Sequence, residues 1–193
     1  MKHWPSQLFP VILLAVLAGL SFWLQKAVEP EPVRTSGKLR HDPDSFAENF
    51  TVRRYDTNGM LRYHLSAPYM VHYADDDSSE LRSPKLISYR PEAPIVTTTG
   101  DHAQVSSKGE TIFLWDNVVI VRDATPERAQ MIARMPDLTT QPEAGFAFTN
   151  SPVEITQGQS WIKGVGAQLD NNLATFVLQS RVTGLYIRPR ATQ

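Results

Sequence analysis

Gly100-Asp101-His102-Ala103-Gln104-Val105 reads without a gap against Gly164-Val165-Gly166-Ala167-Gln168-Leu169. At the same offset, Thr111, Leu114 and Val118 recur as Thr175, Leu178 and Val182. Both copies read as one β unit: Gly-x-x-Ala-Gln-aliphatic, a turn, Thr-x-x-Leu, a turn, then Val. A repeated β unit predicts a stacked or rolled sheet built by duplication, not an enzyme with one unique pocket.

Working outward, almost every segment from Phe50 onward alternates with period two. Phe50 and Val52 share a face, and Asp56-Thr57-Asn58-Gly59 is a hairpin turn with a strong Asn-Gly signal. Leu61, Tyr63, Leu65 and Ala67 alternate with Arg62, His64 and Ser66, which places those three on the opposite face. Asp75-Asp76-Asp77 reads as a solvated hairpin tip before Leu81 and Leu86-Ile87. Later strands are predicted at 95–99, 102–106, 111–115, 118–122, 129–138, 146–149, 153–156, 161–166, 168–170, 175–178 and 182–187, with turns at Asp116-Asn117 and Asn171-Asn172. Only 127–134 has the pattern of a helical turn. The class is all-β. The apolar face contains Val105, Ile112, Leu114, Val118, Ile120, Val153, Ile155, Leu169, Phe176 and Leu178. Trp115, Val119 and Val121 fall on the other face, which predicts a strand covered on both sides or paired.

The chain has 193 residues, a formal charge of −1 and no cysteine. That gives no electrostatic case for nucleic acid as partner and excludes a disulfide scaffold or thiolate metal site. Histidines 41, 64, 72 and 102 show no metal-ligand spacing, no nucleophile or phosphate-loop motif is present, and no cofactor is implied. The stretch 8–24 (LFPVILLAVLAGLSFWL) carries no charge from end to end. At 1.5 Å per residue it covers about 26 Å, enough for an uncleaved membrane anchor. The expected layout is a cytoplasmic stub 1–7, an anchor 8–24, a Pro-rich charged linker 25–45 and an exported β domain 46–190.

Tyr55-x-x-x-Gly59-x-Leu61-x-Tyr63-x-Leu65-x-Ala67, with Leu81-x-x-Pro84 and the Leu-x-x-x-Val repeats, resembles the LptC family. That family is the single-pass inner-membrane component of the lipopolysaccharide transport machine. Trp161-x-x-Gly164-x-Gly166 and Leu178-x-x-x-Val182-x-Gly184-x-Tyr186 extend the resemblance to the C-terminus. It implies an open twisted β-jellyroll in the periplasm that takes lipopolysaccharide from an inner-membrane ABC transporter (LptBFG-like). The cargo then passes to a periplasmic bridge protein (LptA-like) by edge-to-edge stacking, serving outer-membrane biogenesis. Energy for transport comes from the transporter.

On this reading the core is the lipid groove. Phe50, Val52, Leu61, Tyr63, Leu65 and Leu81 are expected near the entry, with Val105, Ile112, Leu114, Val118, Ile155, Phe176 and Leu178 along the interior. Val182, Gly184, Leu185, Tyr186 and Ile187 form the expected partner edge. Gly59, Gly164 and Gly166 are structural glycines at turns or bulges. The alternative is a membrane-anchored assembly protein that uses its sheet edges without lipid cargo.

Overall fold

The computed structural model describes residues 5–28, 41–170, 172–173 and 175–187. Parts of the expected stub and linker, Asn171 and the residues after Ile187 lie outside them. Helix α1 (Pro5–Val28) is longer than the expected anchor. Among the described residues it is the one helix long and apolar enough to cross a membrane, over Phe9–Val28. It belongs to one compact unit and the strands to another.

The second unit is a single antiparallel sheet of eleven strands: β1 Pro43–Tyr55, β2 Leu61–Tyr73, β3 Ser78–Arg82, β4 Lys85–Ser88, β5 Val96–Thr99, β6 His102–Val105, β7 Ile112–Arg122, β8 Met131–Gln141, β9 Phe146–Gln157, β10 Ser160–Asp170 and β11 Thr175–Leu185. β1 begins inside the segment read as linker. The sheet forks and rejoins: the first half of β7 pairs with β6 and its second half with β5. β6 continues through β3 to the end of β2, and β5 through β4 to its beginning. Two layers result, the β6 layer and the β5 layer, crossed by the long strands β1, β2 and β7 to β11. Their inner faces meet in one hydrophobic core, with Leu81, Ala103, Leu114 and Leu138 from one and Leu65, Leu86, Ile120 and Ile155 from the other.

A crease separates the layers. Asn49 on β1, Ser83 before β4, Asp116 and Asn117 on β7, Gly166 on β10 and Arg181 on β11 all have positive φ between 47° and 75°. Pro68 on β2, Pro136 on β8 and Pro152 on β9 sit at the same level of the register. Left-handed residues and prolines each break a ladder, and aligned across a sheet they let every strand bend at one line. Contacts along the line include Ser83 N–H donating to Asp101 O at 2.7 Å, Asp101 N–H to Asp116 O at 2.9 Å, and Thr149 Oγ1 to Asp137 Oδ1 at 2.9 Å.

The crease corrects several expectations. Asp116-Asn117 is not a turn between two strands but a bulge inside β7. The pairs predicted at 146–149 and 153–156, at 161–166 and 168–170, and at 175–178 and 182–187 are each one strand crossing the crease. The segment 127–134 is not helical: Thr125 and Arg128 bridge, and β8 starts at Met131. The sequence repeat is a repeat of register. Ala103 pairs with Leu114 and Val105 with Ile112, as Ala167 pairs with Leu178 and Leu169 with Phe176. The left-handed Asn117 recurs, at the same offset, as the left-handed Arg181.

Candidate functional site

Directly opposed residues in a ladder share a face, so the register gives the inner surface row by row. In the β5 layer one row passes through every strand: Val52, Leu65, Leu86, Thr98, Ile120, Ala133, Ile155, Ile162 and Gly184. Thr98 is its one polar member. In the β6 layer, Met70, Leu81, Ala103, Leu114 and Leu138 form one row, and Val105, Ile112, Thr140, Ala147, Leu169 and Phe176 the next. The inner face is therefore an apolar trough running from β1 to β11. Among the described strands both of these pair on one side alone.

The expected groove residues divide along this trough. Leu65, Leu81, Ile112, Leu114, Val118 and Ile155 are buried, and Phe50, Tyr63, Val105 and Leu178 are half-buried against them. Leu61 is half-buried beside Tyr63 but outside the core, and burial raises the Tyr63 phenol pKa. Val52 is 52% exposed and Phe176 38% exposed, although both stand in apolar inner rows. The trough is thus filled in the middle and open toward its ends.

Two openings adjoin it. A cavity of about 340 Å³ lies where Val96, Ile120 and Met131 of the β5 layer face Leu169 and Phe176, with Arg90, Arg122 and Arg128 at its rim. Burial, and then the nearby Arg62, lower the Arg90 pKa. A cleft of about 410 Å³ sits at the β11 end, between Ile155, Trp161, Ile162, Gly184, Leu185 and Tyr186. An open cleft of about 850 Å³ at the crease mixes Val118, Met135 and Val153 with Asp101, Asp116, Arg134, Glu154 and Lys163, charges that an acyl chain there would have to desolvate.

At the expected partner edge β11 stops at Leu185, short of the predicted Ile187. Ile187 N–H nevertheless donates to Ser160 Oγ at 2.9 Å, which fixes the chain past Tyr186. Val182, Leu185, Tyr186 and Ile187 are all exposed. A Cβ on Gly184 would lie 2.8 Å from the Trp161 carbonyl oxygen, so only glycine permits this close approach and leaves the trough without a wall there. Gly59 closes the β1–β2 turn at φ +78°, Gly166 lies on the crease at φ +75°, and a Cβ on Gly164 would come within 3.2 Å of Leu178.

One expectation on the outer face changes. Arg62 is among the residues lining a small cavity of about 60 Å³ between the layers; it stands at the start of β2, beside the shift that ends the β1 register. Trp115 is half-buried on a strand paired on both sides, the second arm of the expectation. It lies between His102 and Phe113, each ring 5.5 Å away, in a cross-strand aromatic group. Sequence reading also missed the histidine–carboxylate cluster at the β2–β3 tip, because His41 and Asp44 lie far along the chain from Asp75 and His72.

The model of the family described as "Lipopolysaccharide-assembly, LptC-related" matches residues 11–187. The chain belongs to the LptC family. Membership places it in lipopolysaccharide transport, a family of transport proteins and not of enzymes. Comparison with curated protein sequences gives no match. Among solved structures the chain is similar to LptH from Pseudomonas aeruginosa, described as the LptA-homologous periplasmic component of the lipopolysaccharide transport device. The TM-score is 0.51 at 10% identity, covering 66% of this chain and 95% of that one. At that identity the likeness speaks for the fold, the jellyroll.

Proposed function

We propose that α1 anchors the chain in the inner membrane, with the sheet on the periplasmic side. The trough takes lipopolysaccharide from the ABC transporter at the β1 edge and passes it across β11 to a periplasmic bridge protein. The observation that carries this reading is the pair of mainly apolar inner faces that reach two strands paired on one side alone among the described strands. A lipid with several acyl chains crosses water only if its CH2 groups stay covered, each worth about 0.8 kcal/mol. Rows that are apolar at most strands, exposed at Val52 and Phe176, supply that cover toward the ends. An unpaired strand also accepts a neighbour's strand through backbone hydrogen bonds, making few demands on side chains. The jellyroll likeness to LptH supports stacking of similar sheets. Truncation after Ser180 removes the second half of β11 and is expected to abolish capture of the bridge protein while association with the transporter persists. Bridge-protein capture at wild-type levels by the truncated chain overturns the assignment of this edge.

A further inference from the structure

The first strand is fastened at its start by ionisable groups. His72, on β2, places Nδ1 2.7 Å from Asp44 Oδ1 on β1 and Nε2 3.0 Å from Asp77 Oδ1 in the β2–β3 turn. A neutral imidazole carries one N–H, and a carboxylate only accepts. Bridging two carboxylates therefore needs both ring nitrogens protonated. Beside it, His41 lies 2.9 Å from Asp75 Oδ2 and stacks on Tyr73 at 3.8 Å. Asp76 and Glu80 add negative charge nearby. The residues opposite His72 in register, Ser45 on β1 and Ser79 on β3, are uncharged.

Asp44 falls within the register shift between Pro43 and Ser45, where the ladder itself holds β1 least. From Pro43 to Tyr55, only Ala47 and Phe50 are even half-buried. A strand paired on one side with little apolar burial opens at a low free energy.

We propose that His72, bridging Asp44 and Asp77 with His41 on Asp75 beside it, is a protonation latch that keeps the beginning of β1 seated in the sheet and releases it in alkaline solution. The shifts of these groups agree in direction. Asp44 first and Asp77 second raise His72 above its ordinary 6.5, and Asp75 raises His41. A raised histidine contributes fully below its unfolded value and loses that contribution as pH climbs through the folded value. Asp44 is lowered, chiefly by His72, so on the acid side the latch holds until the pH falls below the ordinary carboxylate range.

The test is amide hydrogen exchange on the full-length chain in detergent, at about pH 5.5 and about pH 8.5, on either side of the histidine range. Rates are corrected for intrinsic exchange, and β9 serves as internal reference. The expected result is several-fold weaker protection of residues 43–48 at the higher pH, with residues 50–55 and β9 unchanged. His72→Gln is expected to show the weak value at both pH values, and Asp44→Asn likewise, should the first variant fold poorly. Equal protection of 43–48 at both pH values, or wild-type pH dependence in a folded variant, overturns the latch.

Discussion

Leu114 and Phe176 stand on neighbouring inner rows of the β6 layer, yet one is fully buried and the other 38% exposed. The same contrast separates Leu65 from its ladder partner Val52, 7% against 52% exposed. The chemistry of the middle and the ends of the trough is alike; the exposure is not. Where the layers meet, an apolar row is a core and its cost of disruption is a folding cost. Where the row is exposed, as at Val52 and Phe176, it is a surface, and its cost of disruption falls on whatever it covers. Alternation of residue type says which face a side chain occupies, and only the position along the row says which of these tasks it has.

Substitutions along the rows separate the two tasks. The largest expected effect is at the centre: Leu114→Ala empties a site with no exposed surface and is expected to destabilise the β unit by about 2–5 kcal/mol. Phe176→Ala, by contrast, is expected to stay within about 1 kcal/mol. Urea unfolding followed by tryptophan fluorescence measures both, and equal losses would mean that no filled centre exists.

A smaller folding effect with a larger functional one is expected at the β11 end. Gly184→Val forces a side chain against the Trp161 carbonyl and Ile162, costing about 1–3 kcal/mol locally. It is expected to weaken capture of the bridge protein more than Leu114→Ala does at a temperature where both remain folded. A co-precipitation in which Gly184→Val binds normally would show that the trough need not be open there.

Much of the fold is legible in the sequence. Period-two alternation locates the inner face, and the residues expected on it from Val105 to Leu178 stand there. The constant offset between the two Ala-Gln units marks two hairpins of identical register. The crease is not legible as a crease. Asp116-Asn117 and Gly166 carry the local signals of chain reversal, because residues that accept positive φ suit a tight turn and a bulge within a strand equally well, and Arg181 carries no such signal at all. The choice between them lies in neighbouring strands, through the pairing of Trp115 with Asp137 on one side and Val118 with Met135 on the other. The His72 bridge is hidden for a related reason: Asp44 and Asp77 reach it from an adjacent strand and a turn, not from a metal-like spacing.

If the exposed ends of the trough are the lipid surface, acyl chains lie on the inner face where it leaves the core. Photo-crosslinking in cells producing lipopolysaccharide reads this out, with the crosslinker placed singly at Val52, Phe50 and Phe176 on the inner face and at His64 and Glu154 on the outer. The inner three are expected to capture lipopolysaccharide and the outer two to remain unlabelled. Equal labelling of both faces, or labelling of the outer face alone, would rule out the trough as the lipid path.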